Sequence, residues 1–430
     1  MNKKFFENLK YILRSYPVIK PYVEKVEALY KMNAKELKER NEIRFLQIFR
    51  NAYDKSLFYN QFYREHGISK DDITCLEDIV KLPILTKDIV RQNAKEMLTV
   101  PKWAVISGCT SGTTGTPLRI YRSWPTIWLD QAYLYCLRRK YGFVYGEPLV
   151  SFRGNIRVPS LMVRASNTLY FSSYSINPQM VLYYYDMIKK FAPKAIEGYP
   201  SSLYVFALML RDADLKLQIP LAFTSSETLL DYQRKLIQQQ LGCEIFDYYG
   251  MTEGTINLAE TIEHDGYIEA PGYSINEYVE DGEVCTSLVN SAFPLIRYKS
   301  NDLIELSKRI APQSYVLGAG RIISRIVGRS DDYLVGKNGE ICQRLNQIAK
   351  HANHCKAMQM IQREKGKVEI LIVPDGVFSS VDEMEFIKYF EDLVGKDTLD
   401  YQVKRVSSVS DFVYTKANKF KSVVNYLNKV

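Results

Sequence analysis

The sequence predicts an α/β protein in two units: a large N-terminal domain of parallel sheets, helices and a small β subdomain, and a small C-terminal α+β domain. Three observations lead there. Strand and helix patterns alternate with short connections between about residues 180 and 249, which argues for a largely parallel sheet covered by helices. Strand patterns joined by tight turns take over at Gly266, and a further set of strands with one long helix follows Arg329. The expected division is 1–328 and 329–430.

Element by element, residues up to about Ser69 read as helical, because Leu, Phe and Tyr recur every three or four positions. The run MVLYYYDMIKKFA is a helix, KAIEG a short strand and YPSS a turn, with Ser201 or Ser202 as the cap of the helix LYVFALMLRD. A strand (LAFTSS), a helix (LLDYQRKLIQQQ) closed by Gly242 and another strand (CEIFDYY) follow. Asp281-Gly282 signals a hairpin in the β-rich stretch up to Leu306. Beyond Arg329 come a hairpin at Asn338-Gly339, two strands about Gly366, the helix VDEMEFIKYFEDLV and a basic tail.

At 430 residues the chain is long enough for two domains and a sizeable core, and 46% hydrophobic with 25% charged residues is ordinary for a globular protein. The formal charge of +8 is mild and no long basic run occurs, which argues against a nucleic-acid-binding protein. No window is apolar for long enough to span a bilayer. The opening MNKKFFENLKYILRSYP reads as an amphipathic helix rather than a signal peptide; a helix lying on a membrane is the less common reading. The 7 cysteines are scattered, odd in number and free of CxxC pairs, which suits reduced thiols in the cytoplasm.

The most informative stretch is Ser107-Gly-Cys-Thr-Ser-Gly-Thr-Thr-Gly-Thr-Pro117. Thr110, Ser111, Thr113 and Thr114 supply hydroxyls around Gly112 and Gly115, whose bare backbone lets N–H groups turn toward an anion. Hydroxyls and N–H groups together can wrap polyphosphate oxygens. The spacing is not GxxxxGK[ST], and composition alone also fits a surface linker. Gly318-Ala-Gly320 lacks the third glycine of a dinucleotide fingerprint and reads as a turn.

Thr110–Pro117 resembles the phosphate loop of the adenylate-forming superfamily of acyl-CoA synthetases, luciferases and peptide-synthetase adenylation domains. Tyr249-Gly-Met-Thr-Glu253, Arg297-Tyr-Lys-Ser-Asn-Asp302, Gly328-Arg-Ser-Asp-Asp332 and Thr415-Lys-Ala-Asn-Lys419 resemble its later motifs, in the family's order. LPILTKDIVRQN at 82–93 is similar to phenylacetate–CoA ligases and to capsule-biosynthesis proteins of the CapK type.

The resemblance implies ATP-dependent activation of a carboxylic acid as an acyl-adenylate, then transfer to coenzyme A. It implies that Glu253 helps hold magnesium, Thr252 contacts a phosphate, Tyr249 lies along the adenine and Asp302 accepts both ribose hydroxyls. Glu227, in Ser225-Ser-Glu227-Thr, falls in the adenine-side turn, and Arg329 reaches the nucleotide. Asp331 matches the hinge of a mobile C-terminal domain that carries Lys419 to the α-phosphate. Tyr199 and Pro200 line the acid pocket, which suits an apolar or aromatic acid.

Taken singly, each of these residues also fits an ordinary surface role. Asn301 and Asn418 stand where the family has glycine, and Asn tolerates positive φ best among the others. Pro117 is followed by Leu118 and Arg119 where many members have Lys. His351-x-x-His354-Cys355 reads as a surface helix, and no structural zinc is expected. Two alternatives stay open: an amine or hydroxyl acceptor, as in tailoring a surface or capsular polysaccharide, and a non-catalytic nucleotide-binding relative.

Overall fold

The computed structural model describes residues 16–109, 118–153, 162–173, 176–177, 179–279, 282–315, 319–329, 333–342, 345, 348, 352–414 and 420–427, with backbone alone at 310–315, 319–320, 327–329 and 341. The chain opens with three helices: α1 (Tyr16–Lys31), α2 (Ala34–Lys55) and α3 (Leu57–Glu65). Asn33 and Glu36 form a reciprocal cap at the start of α2, at 2.9 and 3.0 Å, so two otherwise unpaired N–H groups are satisfied. A short helix, α4 (Lys87–Asn93), precedes the hairpin β1 (Ile106–Cys109) and β2 (Arg119–Arg122). Ser123 caps the long helix α5 (Trp124–Lys140).

Three strands follow, β3 (Leu149–Arg153), β4 (Met162–Ala165) and β5 (Thr168–Ser172). Helix α6 (Val181–Phe191) leads to β6 (Ala195–Gly198), α7 (Pro200–Asp212) to β7 (Leu221–Ser225), and α8 (Asp231–Leu241) to β8 (Glu244–Gly250). Gly242 closes α8 in the left-handed conformation, φ 59°. Helix α7 starts earlier than the sequence suggests: Pro200 is its first residue and Tyr199 its cap, so Ser201 and Ser202 lie inside the first turn. Proline suits that position, because its φ is preset and the missing N–H has no helical partner there.

The remaining strands are β9 (Asn257–Glu260), β10 (Tyr267–Glu269), β11 (Ser274–Val279), β12 (Gly282–Ser287), β13 (Tyr298–Ser300), β14 (Asp302–Tyr315) and β15 (Ala319–Arg329). One ten-stranded sheet has the order β14-β15-β10-β9-β8-β7-β6-β3-β5-β4. Its centre, β5-β3-β6-β7-β8, is parallel; β4 on one side and β9, β10, β15 and β14 on the other run antiparallel. The sheet is therefore mixed, parallel where strands alternate with helices and antiparallel where turns replace them. A separate three-stranded sheet, β11-β12-β13, forms the small β subdomain.

Alternation along the central strands buries both faces. Ile196, Ala222 and Ile245 meet the helices α6, α7 and α8, while Ala195, Leu221, Phe223 and Phe246 meet Leu137, Tyr141 and Phe143 at and beyond the end of α5. The early helices α2, α3 and α4 pack on residues 275–298. Tyr59 Oη donates to the Pro294 carbonyl at 2.7 Å and Arg44 Nε to the Leu288 carbonyl at 3.0 Å.

After the small hairpin β16 (Leu334–Val335) and β17 (Ile341–Cys342), a four-stranded sheet forms. It holds β18 (Cys355–Glu364), β19 (Lys367–Pro374), β20 (Asp400–Arg405) and β21 (Val423–Asn425), in the order β20-β19-β18-β21. Helix α9 (Ser380–Val394), capped by Ser379 and Asp382, lays Phe386 and Phe390 on one face, and Phe412 covers the other. His354 sits in a turn with φ 53° rather than on a helix, and pairs with Asp375 at 3.4 Å. His351 lies outside the described residues. Among the described residues no helix is long and apolar enough to cross a membrane.

Candidate functional site

In an open α/β sheet the backbone leaves room for a ligand beyond the carboxyl ends of the parallel strands. Here β6 ends at Gly198, β7 at Ser225 and β8 at Gly250, with Gly198 level with Thr224 and Ser225 level with Tyr248. Tyr199 and Pro200, Glu227, and the loop carrying Thr252 and Glu253 therefore leave the same edge of the sheet. Behind that edge, Glu197 on β6 is held by Arg138 and by the Ser151 hydroxyl at 2.6 Å.

Tyr249, the penultimate residue of β8, turns its hydroxyl into a group of acids. It hydrogen-bonds to Asp302 Oδ2 and stands 3.2 Å from Glu283 Oε1. Ser300 Oγ is 3.0 Å from the same Glu283 oxygen and accepts from the Asp302 amide at 3.1 Å. Tyr249 carries one hydroxyl proton, so it donates to one acid at a time, and the contact with Asp302 is the shorter of the two. Glu283 is fully buried, and burial first and the Asp302 charge second push its carboxyl well above the usual range. Its second oxygen, Oε2, has no hydrogen-bond partner among the described residues, a far smaller cost for a neutral acid than for a carboxylate. Tyr249 thus stands between the two acids, hydrogen-bonded to Asp302 and within reach of the Glu283 carboxyl that burial pushes up. The same surroundings push the Tyr249 phenol well above its ordinary value, burial contributing most.

Strand pairing brings another candidate to this point. Asp302 lies opposite Arg329 in the β14–β15 ladder. Glu283 itself escaped the sequence reading. The available signal was a glutamate directly after Asp281-Gly282 in a run otherwise fit for burial, and β12 is indeed buried throughout.

Glu253 lies half-buried in the loop after β8, with the Tyr298 hydroxyl 3.4 Å from its Oε1, and Thr252 is exposed. The loop is fixed from behind: Gly254, at φ 68°, donates to the Met251 carbonyl at 3.0 Å and accepts from Ser287 Oγ at 2.7 Å. Tyr298 also ties in the LPILTK segment, since Leu85 pairs with it and exchanges hydrogen bonds of 2.9 Å with Arg297 and Lys299. In the neighbouring turn the left-handed position belongs to Arg297, φ 52°, and not to Asn301. Arg297 can hold that conformation because Glu277 grips its guanidinium at 2.9 and 2.8 Å.

Beneath the loop, Asp247 accepts from Thr224 Oγ1 at 2.6 Å and Tyr267 Oη at 2.7 Å. Burial nevertheless pushes its carboxyl up to about 7. Its amide donates to Glu260, which Arg234 holds at 2.5 Å, so β7, β8, β9 and β10 are cross-linked under the site.

Glu227 follows Ser226, whose φ of 70° makes the sharp exit from β7. Its carboxylate accepts from the Ser201 amide in the first turn of α7 and from the Phe420 amide in the C-terminal unit, each at 3.0 Å. It is thus engaged with backbone rather than held out toward the edge. Among the remaining candidates, Thr110, Ser111, Gly112, Thr113, Thr114, Gly115, Asp331 and Lys419 lie outside the described residues, as do the Arg329 side chain and Asn418. The residues flanking the glycine loop are described: Cys109 pairs with Arg119 across β1 and β2.

Magnesium prefers oxygen ligands, keeps several waters, and is commonly held by one or two carboxylates plus substrate phosphates. Among the described residues no group of three or more His, Cys, Asp or Glu could hold a metal ion by itself. A single carboxylate such as that of Glu253 fits an ion that arrives on a polyphosphate.

No protein-family model matches the sequence. The chain is 26% identical over 424 residues to protein CapK of Staphylococcus aureus, covering 94% of this chain and 90% of CapK. It is 30% identical over 316 residues to the phenylacetate-coenzyme A ligase of Pseudomonas putida, covering 66% of this chain and 69% of that enzyme. Among solved structures, 2-hydroxyisobutyryl-CoA ligase in the postadenylation state superposes with a TM-score of 0.71 at 18% identity, over 92% of this chain and 90% of that one, so the fold is shared.

Proposed function

Because the chain belongs to the phenylacetate–coenzyme A ligase family of adenylate-forming enzymes, we propose that it activates a carboxylic acid with ATP and passes the acyl group to coenzyme A. In the first half-reaction a carboxylate oxygen of the acid attacks the α-phosphorus of ATP. The new P–O bond makes an acyl-adenylate as the bond to pyrophosphate breaks. In the second, the coenzyme A sulfur attacks the acyl carbonyl, the thiol gives up its proton and AMP leaves.

The observation that carries this reading is the meeting of Tyr249 and Asp302 beside the Thr252–Glu253 loop, at the carboxyl edge of the parallel strands. Asp302 offers its carboxylate to the ribose hydroxyls, and its bond to Tyr249 orients the tyrosine ring for the adenine. Thr252, with the hydroxyls and amides of 110–115, receives the phosphates, while Tyr199 and Pro200 border the acid. Glu253 would hold magnesium, which when bound would offset phosphate charge. Residues 329–430 act as a lid on 1–328, turning at Asp331, and Lys419 supplies positive charge where the carboxylate meets the α-phosphate. The cytoplasm, where ATP and coenzyme A are available, is the compartment this reading implies.

The test is a panel of carboxylic acids incubated with ATP and magnesium, with coenzyme A or with amine and hydroxyl acceptors. AMP and pyrophosphate, followed by a thioester, are the expected products. ADP and phosphate as the only products overturn adenylation, and adenylation without thioester moves the assignment to another acceptor.

A further inference from the structure

The Glu227 carboxylate joins two parts of the chain 193 residues apart, and what it joins bears on the chemistry. We propose that Glu227 is a positioning residue for adenylation: it seats the lysine-bearing C-terminal segment against the N-terminus of α7. This rests on the adenylation reading above and on Lys419 as the cation of that step.

Geometry supports the bridge from both ends. On one side, the side chain of Tyr199 makes no capping hydrogen bond to α7, and the first-turn amide of Ser201 goes to Glu227 Oε2 at 3.0 Å. A carboxylate is favoured there, because the unpaired N–H groups make a helix N-terminus positive. On the other side, Oε1 accepts from Phe420, the residue covalently after Lys419, at 3.0 Å. Each oxygen thus takes one amide, which a carboxylate can do and a carboxamide cannot.

Phe420 is firmly part of the C-terminal unit. It pairs with Tyr414 and stacks on Phe412 at 5.7 Å, while Gln359 on β18 donates to the next carbonyl, that of Lys421, at 2.8 Å. Holding the Phe420 amide therefore holds the sheet behind it. The seat is wider than a single bond. Tyr204, one turn along α7, donates to the Lys356 carbonyl at 2.6 Å and meets the ring of Tyr232 edge-on at 5.2 Å. Val409 packs against the apolar cluster that contains Leu203 and Tyr204. Three separate stretches of the C-terminal unit, at 356, 409 and 420, thus meet the start of α7 and its neighbours. Glu227 adds a charged side chain to that contact.

The acceptor carboxylate is needed only while the lysine segment faces the nucleotide. Its loss should slow acyl-adenylate formation and spare the thioester step. The experiment measures both half-reactions in wild type, Glu227→Gln and Glu227→Ala. The first is read as pyrophosphate exchange with the best acid of the panel, the second as thioester formation from that acid's supplied adenylate and coenzyme A. Exchange should fall about tenfold or more in Glu227→Ala and less in Glu227→Gln, with the ATP KM within about twofold of wild type. Thioester formation should be undiminished. Amide hydrogen exchange of a peptide containing Phe420, on the protein without ligands, should rise in Glu227→Ala.

A raised ATP KM with unchanged kcat would assign Glu227 to the nucleotide and overturn the proposal. Equal loss in both half-reactions, normal exchange in Glu227→Ala, or unchanged protection at Phe420 would overturn it too. A wild type that exchanges pyrophosphate with no acid overturns the adenylation reading itself, a separate result.

Discussion

Replacing Asp302 by Asn separates what this carboxylate does for the nucleotide from what it does for the fold. The substitution keeps the side chain's size but removes its charge and one of its accepting oxygens. Asp302 already takes the Tyr249 hydroxyl, and the ribose reading asks it to take sugar hydroxyls as well. A hydrogen bond to a charged group contributes about 1.5–3 kcal/mol, and about 1.4 kcal/mol is a factor of ten in affinity, so losing one weakens ATP roughly 10- to 150-fold. The ribose contact is the same before and during reaction, so the loss should appear in the ATP KM with kcat little changed.

Stability should change little. Asp302 accepts from the Tyr249 hydroxyl, and the asparagine keeps an accepting oxygen there, so the melting temperature should stay close to wild type. Pyrophosphate exchange with varied ATP, alongside thermal melts, reads both effects. An ATP KM within about twofold of wild type would refute the ribose assignment. A melting temperature well below wild type would show that the charge itself is needed to hold Tyr249 in place.

Glu253→Gln should mainly lower kcat for adenylation and raise the magnesium concentration needed for half-maximal rate; an unchanged magnesium dependence would place this carboxylate away from the ion. Asp247 titrates near 7 against an ordinary 3.8 because it is buried, so its contribution to stability is full below about 3.8 and is lost as pH rises toward 7. Asp247→Asn does not titrate, and its stability relative to wild type in urea should improve by on the order of 2 kcal/mol from pH 5 to pH 7; parallel behaviour at the two pH values would show that the aspartate stays ionised. Lys419→Ala should reduce acyl-adenylate formation about a hundredfold or more while a supplied adenylate is still converted to thioester. Normal adenylation in that variant, and then in Lys416→Ala and Lys421→Ala, would remove the mobile-lysine step.

Local pattern was enough for much of the architecture. The alternation from about 180 to 249 foretold the parallel centre of the large sheet, Gly242 closes α8 where its φ freedom is needed, and the turns at Asn338-Gly339 and Gly366 join paired strands. Motif order pointed to the family before any geometry was available. These features are legible because strand period, helix period and turn chemistry act over a few neighbouring residues.

What tertiary structure decided depends on partners far along the chain. Helix α7 starts at Pro200, and its first-turn Ser201 amide finds its acceptor in Glu227, 26 residues away. The upward push on the Glu283 carboxyl follows from burial and from Asp302, 19 residues distant, which no local window weighs. The antiparallel flank of the sheet sets Asp302 opposite Arg329, and the docked C-terminal unit gives Glu227 its second amide. Residue type and spacing determine which groups are available for chemistry. Which of them is charged, and which is already occupied, is decided only when folding removes water and brings distant groups within hydrogen-bond distance.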